Sequence, residues 1–327
     1  MRRNEIGNFV EARHRSRREQ MTKEKTMYTR ILIPLDGSKA AEKVLPYART
    51  LAGRLMVPVE LMEVIDIADM VTHIAVAKAR YLDTMIEDRA RSSEAYLRGV
   101  AKTFPEAAVK CAIEKGRAAE VIIGKAEADP GTLIAMATHG RSGIDRWLLG
   151  SVAEKVLRGT ANPVLLIRAT EEAKTEGEAA LKSIVVPLDG SELAEGVLPM
   201  VAGLAKKLNL AVVLFRAYNL PYSVYGGGDG YSVINFDELI AAIRDEAREY
   251  LEKKIAELKK LGIENVSYIA RDGFSSDEII KIGRETPDNL IAMCSHGRSG
   301  VKRWVLGSVT ETVVRHSENP VMVLRPA

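Results

Sequence analysis

The 327-residue chain has little of what disulfide-rich, membrane and metal-binding proteins depend on. Its two cysteines, Cys111 and Cys294, are too few for a disulfide framework and fit no zinc-binding spacing. No apolar run is long enough to span a bilayer, and the N-terminus lacks the apolar segment of a signal peptide. Aromatic residues make up only 5% of the chain against 46% hydrophobic residues, so its cores should be aliphatic. These absences favour a protein of the reducing cytoplasm that has no membrane partner.

The basic character of the chain is confined to its N-terminus. Residues 1–26 carry eight Lys or Arg residues against four Glu, whereas the formal net charge of the whole chain is +3. The remaining residues are therefore close to neutral, which argues against a nucleic-acid-binding body. Because the segment has almost no apolar periodicity, we predict a disordered basic tail rather than an arm for nucleic acid or acidic lipid.

A fifteen-residue segment occurs twice, at 138–152 and 295–309, with eleven identical positions. The motif Pro-Leu-Asp-Gly-Ser also occurs twice, at 34–38 and 187–191. The copies are 157 residues apart in the longer motif and 153 in the shorter one, which indicates a tandem duplication with a small insertion. We therefore predict four segments: a tail at 1–26, a first repeat at 27–169, a charged linker at 170–181 and a second repeat at 182–327.

Short apolar runs alternate with helical patterns in each repeat. Residues 31–35 form a continuous apolar run, as in a strand that is buried on both faces. The alternation predicts βαβ units with right-handed crossovers, and hence a doubly wound α/β domain with a parallel sheet in each repeat. Pro46 falls within the first helical pattern and should kink or break that helix. In the first repeat, further strands are predicted at 57–64, 109–114, 133–137 and 163–168, and helices at 39–54, 81–104, 118–127 and 152–158.

Each fifteen-residue segment lies between a predicted strand and a predicted helix. The N-terminus of a helix presents backbone N–H groups and the positive end of the helix dipole to an anion. Glycines before that helix would let the backbone approach a ligand closely. The glycines concerned are Gly140, Gly143 and Gly150 in the first repeat and Gly297, Gly300 and Gly307 in the second. The arrangement predicts a phosphate-binding loop in each repeat.

Polar residues near these loops have both a structural and a functional interpretation. Asp36 and Asp189 end the first strand of each repeat, where an aspartate can form a turn or contact a ligand at the edge of the sheet. Arg141 and Arg298 can pair with a phosphate or with a surface carboxylate.

The serine that follows the last glycine of each loop also has two interpretations. Ser151 with Glu154, and Ser308 with Glu311, match a capping box, which predicts that each serine caps its helix. A capped helix N-terminus is also a place where a phosphate could bind.

Evidence for catalysis or metal binding is weak in this sequence. His139 and His296 precede the loop glycines, but no second His, Cys or carboxylate lies at ligand spacing, so we predict no metal site. There is no P-loop motif, no nucleophile elbow and no general-base constellation, and we assign no catalytic residue.

With these motifs, both repeats resemble the universal stress protein family over residues 27–168 and 182–326. Nucleotide-binding members carry Gly, two residues, Gly, nine residues and then Gly-Ser or Gly-Thr, and both repeats have the nine-residue spacing. The sequence departs from the pattern at its first glycine, which is Ala137 in one repeat and Cys294 in the other. The resemblance implies an adenine nucleotide alpha hydrolase-like fold with five parallel strands in the order 3-2-1-4-5. It also implies that the last strands of the two repeats pair antiparallel, as a pseudo-dimer.

The resemblance further implies that the ligand is ATP, or AMP or ADP, with Mg²⁺ accompanying the nucleotide. The nucleotide would act as a signalling or conformational ligand in a stress response, with at most slow hydrolysis. Two alternatives stay open: an interaction protein that binds no nucleotide and keeps its loops for dimerisation, and a weak ATPase. Further homo-oligomerisation is also open. Because Cys294 adds more bulk than Ala137, the steric argument favours binding in the first repeat.

The resemblance assigns a set of nucleotide-binding residues to each repeat. In the first repeat they are Pro34, Asp36, Val64, Ala137, His139, Gly140, Arg141, Gly143, Gly150, Ser151 and Val152. In the second they are Pro187, Asp189, Cys294, His296, Gly297, Arg298, Gly300, Gly307, Ser308 and Val309.

Overall fold

The computed structural model describes residues 27–67, 82–104, 107–139, 149–170, 173–219, 236–297 and 306–325. The first repeat contains β1 (Arg30–Pro34), α1 (Lys39–Glu42), α2 (Leu45–Leu55), β2 (Val59–Ile65), α3 (Leu82–Ala101), β3 (Val109–Lys115), α4 (Ala118–Glu127), β4 (Thr132–Ala137), α5 (Ser151–Gly159) and β5 (Val164–Ile167). The second contains β6 (Ser183–Pro187), α6 (Glu192–Glu195), α7 (Leu198–Leu208), β7 (Ala211–Tyr218), α8 (Phe236–Lys260), β8 (Val266–Asp272), α9 (Ser275–Glu285), β9 (Asn289–Cys294), α10 (Ser308–His316) and β10 (Val321–Leu324).

The strands form one ten-stranded sheet in the order β3-β2-β1-β4-β5-β10-β9-β6-β7-β8. Within each repeat the neighbouring strands are parallel, so each repeat by itself has the order 3-2-1-4-5. The doubly wound α/β fold expected from the alternating pattern is thus confirmed. In such a sheet the order reverses beside the first strand, and ligands bind there, at the carboxyl ends of the strands.

The two repeats meet at the last strand of each. Strand β10 pairs antiparallel with β5, with Met322 opposite Leu165 at the middle of the register. The predicted antiparallel pairing of the final strands is therefore confirmed. This pairing covers two strand edges that would otherwise be open to another chain.

Pro46 breaks the first helical segment as expected. Helix α1 ends at Glu42 and α2 begins at Leu45, so that Pro46 lies in the first turn of α2. Proline is tolerated there because the first N–H groups of a helix have no partner within the helix. Pro199 has the same place in α7.

Apolar side chains cover both faces of the sheet. On one face, helices α2, α3, α7 and α8 bury residues such as Leu51 and Leu204 in a layer shared by the two repeats. On the other face, helices α4, α5, α9 and α10 bury residues such as Val156 and Val313. The central strands β4, β5, β9 and β10 are covered on both sides, which explains their largely apolar sequences, whereas the edge strands β3 and β8 are only partly buried.

Four charged side chains lie where α5 meets α10. Arg158 is 3.2 Å from Glu311 of the other repeat, and Arg315 is 3.8 Å from Glu154. Each arginine also pairs with the glutamate of its own helix, at 3.1 Å and 2.9 Å. The four residues occupy equivalent positions of the two repeats, so the cluster has the twofold character of the duplication.

The segment between the repeats runs along α1 and α2. The backbone N–H of Ala179 donates to the carbonyl of Pro46 at 3.1 Å, and the Thr50 hydroxyl donates to the carbonyl of Ala179 at 3.0 Å. Arg49 donates to the carbonyl of Gly177 at 2.7 Å, and Lys43 donates to that of Ala173. The sequence predicted only a charged linker here, but in the structure this segment is held by the first repeat.

Residues 1–26, the predicted basic tail, lie outside the described residues, and the predicted segment boundaries stay predictions. Among the helices that the structure describes, none has both the length and the apolar composition that crossing a bilayer requires.

Candidate functional site

The end of the first strand folds into a turn that fixes its aspartate. Oδ1 of Asp36 accepts a hydrogen bond from the backbone N–H of Ser38, with N and O 2.9 Å apart. The Ser38 hydroxyl accepts from the N–H of Ala41 at 3.1 Å and so caps α1. Gly37, between the two, has φ 82°, a left-handed conformation that favours glycine. The motif therefore holds Asp36 at the carboxyl end of β1.

The second repeat builds the same turn with one additional hydrogen bond. Oδ1 of Asp189 accepts from both the N–H and the hydroxyl of Ser191, at 2.9 Å and 2.6 Å. Gly190 has φ 86°, and Ser191 caps α6. The turn interpretation of both aspartates is thus confirmed. Any ligand that contacts one of these carboxylates would meet a group that the hydrogen bonds of the turn already orient.

Gly297 is a glycine because Asp189 occupies the space of a side chain. A Cβ built on Gly297 would overlap Oδ2 of Asp189. The loop after β9 therefore passes directly over the carboxylate at the end of β6. This close approach joins the two repeated motifs of the second repeat into one site.

Gly150 and Gly307 lie equally close to the ends of β4 and β9. The N–H of Gly150 donates to the carbonyl of Thr138 at 2.8 Å, and that of Gly307 donates to the carbonyl of Ser295 at 2.9 Å. A Cβ at Gly150 would lie 2.8 Å from the Thr138 oxygen, and one at Gly307 would lie 3.1 Å from the Ser295 oxygen. The absence of a side chain at each glycine thus allows the first turn of the helix to pack against the backbone at the end of the strand.

The predicted capping boxes are not formed, and this prediction was wrong. The N-cap residues are Gly150 and Gly307, and neither α5 nor α10 has a side-chain cap hydrogen bond. The backbone of each glycine is extended, so Ser151 and Ser308 are already the first helical residues and their hydroxyls lie one position too late to cap. Glu154 and Glu311, the expected partners of these serines, pair with arginines instead.

The two histidines are half-buried, each beside the hydroxyl of the preceding residue. Nδ1 of His139 lies 3.0 Å from the Thr138 hydroxyl, and Nδ1 of His296 lies 2.9 Å from the Ser295 hydroxyl. Burial lowers the pKa of both imidazoles, and the neighbouring Arg168 or Arg325 lowers it further. Among the described residues, no three His, Cys, Asp or Glu side chains are grouped so that they could hold a metal ion.

Ala137 and Cys294, which replace the first motif glycine, end β4 and β9 and are both buried. Cys294 belongs to the apolar layer that packs under α7 and α8. Its carbonyl accepts from the Thr310 hydroxyl at 3.0 Å, which ties β9 to α10. Burial raises the pKa of its thiol to about 12, so the sulfur is an uncharged, unreactive wall of the site.

A cavity of about 510 Å³ opens at the carboxyl ends of β6, β7 and β9. It brings together eight of the residues predicted for the second repeat: Pro187, Asp189, Cys294, His296, Gly297, Gly307, Ser308 and Val309. Its apolar wall includes Phe215, Ile243, Ile279 and Met293. The first residues of α10 and the Asp189 turn both line this cavity.

Sequence reasoning missed Arg216, which also lines the cavity. Its guanidinium donates to Oε1 of Glu246 at 3.1 Å and lies 4.9 Å from the ring centroid of Tyr250. The Tyr250 hydroxyl donates to Glu195 at 2.9 Å, and burial together with this carboxylate raises the pKa of the phenol. A charged residue near the end of an otherwise apolar strand was the available sequence signal.

The first repeat places its predicted residues on equivalent elements. Pro34 ends β1, Val64 is the penultimate residue of β2, and Val152 packs against the layer under α4 and α5. The predicted residues Gly140, Arg141, Gly143, Arg298 and Gly300 lie outside the described residues.

Fold and site together define a class: a tandem, doubly wound α/β protein with a cavity at the carboxyl ends of parallel strands. A family model described as the Universal stress protein family matches residues 27–168 and 180–325. The chain therefore belongs to the universal stress protein family and carries two family units in tandem.

Individual relatives agree with this assignment. One universal stress protein of Methanocaldococcus jannaschii is 32% identical over 154 residues, covering 44% of this chain and 94% of that protein. Another from the same organism is 31% identical over 144 residues, covering 43% and 83%. The crystal structure of a universal stress protein from Archaeoglobus fulgidus has the same fold, with a TM-score of 0.62 and 24% identity, covering 92% of this chain and 98% of that one.

Proposed function

We propose that the chain binds an adenine nucleotide, ATP or else AMP or ADP, as a signalling or conformational ligand in a stress response. The observation that carries the proposal is the cavity of about 510 Å³ that is lined by both the Asp189 turn and the N-terminus of α10. Its volume falls within the range of roughly 300–1,000 Å³ that is usual for small-molecule sites. It is apolar on one wall and has a helix N-terminus on another, as a base joined to phosphates requires.

The phosphates would bind at Gly307 and Ser308. The first N–H groups of α10 have no partners within the helix, and the helix dipole favours negative charge there. Because Ser308 does not cap the helix, its hydroxyl is in a position to donate to a phosphate oxygen. Asp189 would accept from hydroxyl or amino groups at the other end of the ligand, and the apolar wall would cover the base.

In the part of the chain that the structure describes, no three His, Cys, Asp or Glu side chains are grouped so that they could hold a metal ion. Mg²⁺ would enter with the nucleotide, coordinated mainly by phosphate oxygens and water. The proposal treats the nucleotide as a ligand and assigns no residue to hydrolysis.

Other features fit a pseudo-dimer in the cytoplasm. The antiparallel pairing of β5 with β10 does within one chain what a dimer contact would do between two. Cys111 and Cys294 are free thiols, as a reducing compartment keeps them.

One universal stress protein of known structure, 21% identical over 46% of this chain, is a complex with cAMP. Its TM-score to this chain is 0.32, so the proposal rests on the cavity described above.

Calorimetric titration with ATP tests the proposal, using the wild-type chain and a double variant, Ser151→Asp with Ser308→Asp. Each aspartate would repel phosphates at the start of α5 or α10, and an acid there suits the helix dipole, so folding should be preserved. We expect ATP binding by the wild type and its loss in the double variant with an unchanged thermal midpoint. Ser276→Asp adds the same charge to the first turn of α9, outside the cavity lining, and should leave binding unchanged.

The outcomes separate the alternatives. Absence of ATP, ADP and AMP binding by the wild type would contradict the proposal and favour an interaction protein that uses no nucleotide. Steady phosphate release at saturating ATP would instead favour the weak ATPase.

A further inference from the structure

This inference rests on the proposed function and concerns which repeat binds the nucleotide and why. We propose that the second repeat is the nucleotide-binding repeat, and that Arg216 selects an anionic ligand there. The first repeat has an acid, Glu63, at the equivalent position, and its site disfavours the same ligand. The duplicated chain would then carry one binding repeat and one repeat specialised for structure.

The equivalence of Glu63 and Arg216 follows from the strand register. In the first repeat Pro34 lies opposite Met62, and in the second Pro187 lies opposite Phe215. Glu63 and Arg216 are the next residues along β2 and β7, so they occupy the same place near the carboxyl edge of the sheet. A negative and a positive side chain have therefore been exchanged between two copies of one site.

In the second repeat, the surroundings hold Arg216 in place. Its side chain is only 10% exposed, with the guanidinium packed near the Tyr250 ring and hydrogen-bonded to Glu246. The Glu246 side chain also lines the cavity, but it is 69% exposed, so solvent screens its charge strongly. A guanidinium fixed against a ring at the wall of a cavity is preorganised to attract an anionic ligand or to stack on a base.

In the first repeat, the same position has the opposite charge. The Glu63 side chain is 3% exposed and forms an ion pair with Arg89 of α3. Three residues further on, the first repeat has Asp66 where the second has Asn219, which lines the cavity. Counted with their ion-pair partners, Arg89 and Glu246, these positions have a formal charge of −1 in the first repeat and 0 in the second, and the buried member of the pair is the acid in the first repeat and the base in the second. Such a difference near a polyphosphate favours the second repeat.

The steric argument from the sequence pointed to the first repeat, because Cys294 is bulkier than Ala137. In the structure Cys294 packs with the apolar layer of the sheet and leaves a cavity of about 510 Å³ in front of it. The bulk of the side chain is thus accommodated mainly by the core. Charge, rather than this one side chain, then decides between the repeats.

The test compares ATP with adenosine in three proteins: wild type, Arg216→Gln and Arg271→Gln. Arg271 is an ion-paired arginine of the same repeat that lies outside the cavity lining, so its variant controls for the loss of one positive charge. We expect one tight ATP site per chain in the wild type, by calorimetry and native mass spectrometry. In Arg216→Gln, ATP affinity should fall about tenfold, while adenosine affinity changes much less.

The thermal midpoint of Arg216→Gln shows whether the variant is folded. If Arg216→Gln does not fold, Glu246→Gln replaces it in the test. This variant leaves Arg216 without its carboxylate partner, so we expect ATP to bind more tightly than to the wild type. Two equal sites per chain, or an equal loss for ATP and adenosine, would overturn this inference while leaving the proposed function intact. A wild-type chain that binds no adenine nucleotide would overturn both.

Discussion

At the scale of single residues, two glycines with opposite surroundings make a matched pair. A methyl group on Gly297 would overlap the Asp189 carboxylate, whereas one on Gly124, in the middle of α4, would meet no atom within 4 Å. We predict that Gly297→Ala lowers the free energy of unfolding by about 1–3 kcal/mol. Gly124→Ala should raise it by about 0.5–1 kcal/mol, because alanine is the better helix former. Urea denaturation of both variants measures this, and a neutral Gly297→Ala would show that Asp189 does not need its observed position.

The half-buried histidines predict a pH dependence of stability. The pKa values of His139 and His296 are lowered from 6.5 by burial, so the unfolded chain takes up these protons more readily than the folded one. Well above pH 6.5 both groups are neutral in the folded and in the unfolded chain. As the pH falls below 6.5, their uptake of protons in the unfolded chain should reduce the free energy of unfolding.

The double variant His139→Gln with His296→Gln should therefore lose stability less steeply between pH 7 and pH 5 than the wild type. Carboxylates that titrate below this range affect both proteins alike, so the difference between the two pH profiles isolates the histidines. Parallel profiles of thermal midpoint against pH would contradict the prediction.

At the scale of elements, the two kinds of serine at helix starts should behave differently. Ser38 caps α1 through its hydroxyl, whereas Ser151 is the first residue of α5 and caps nothing. We predict that Ser38→Ala costs about 1 kcal/mol in the free energy of unfolding. Ser151→Ala should change it little in the absence of nucleotide. A comparable loss in the two variants would mean that the Ser151 hydroxyl forms a cap in solution.

The sequence predicted helices and strands well where the hydrophobic periodicity agrees with the positions of helix-breaking and turn-forming residues. The predicted helix at 118–127 coincides with α4, and Pro46 separates α1 from α2 as expected. It failed where a close tertiary approach decides the outcome. Gly150 became the N-cap because its backbone packs on the Thr138 carbonyl, a contact that no local pattern contains. The role of Arg216 was not predicted for the same reason. Its side chain is held by Tyr250 and Glu246, which lie on a helix distant in sequence.

At the scale of the whole molecule, the duplication allowed most of the architecture to be predicted from the sequence. Two copies of one strand–loop–helix motif predicted two parallel sheets, and the resemblance to a family implied how they join. The path of the linker was not predictable, because its hydrogen bonds to Pro46 and Thr50 join backbone groups and a hydroxyl far apart in sequence. The exchange of Glu63 for Arg216 is visible in the sequence only after the strand register has aligned the two repeats.

The junction between the repeats should hold without a covalent link. Leu165 and Met322 face each other in the β5–β10 pairing and are 1% and 0% exposed, within apolar layers that extend across both repeats. The side chains of the charged cluster between α5 and α10 are about one-fifth to one-third exposed, and such pairs contribute about 0–1 kcal/mol each. Backbone pairing and apolar burial, not charge, should therefore keep the repeats together.

We predict that a protease site placed within residues 173–177 can be cut while the two pieces still elute at the mass of the intact chain. The double variant Arg158→Ala with Arg315→Ala should behave alike after cutting, even in high salt. If the pieces of the wild-type chain separate, the linker rather than the shared sheet holds the molecule together; if only those of the arginine variant separate, the charged cluster does.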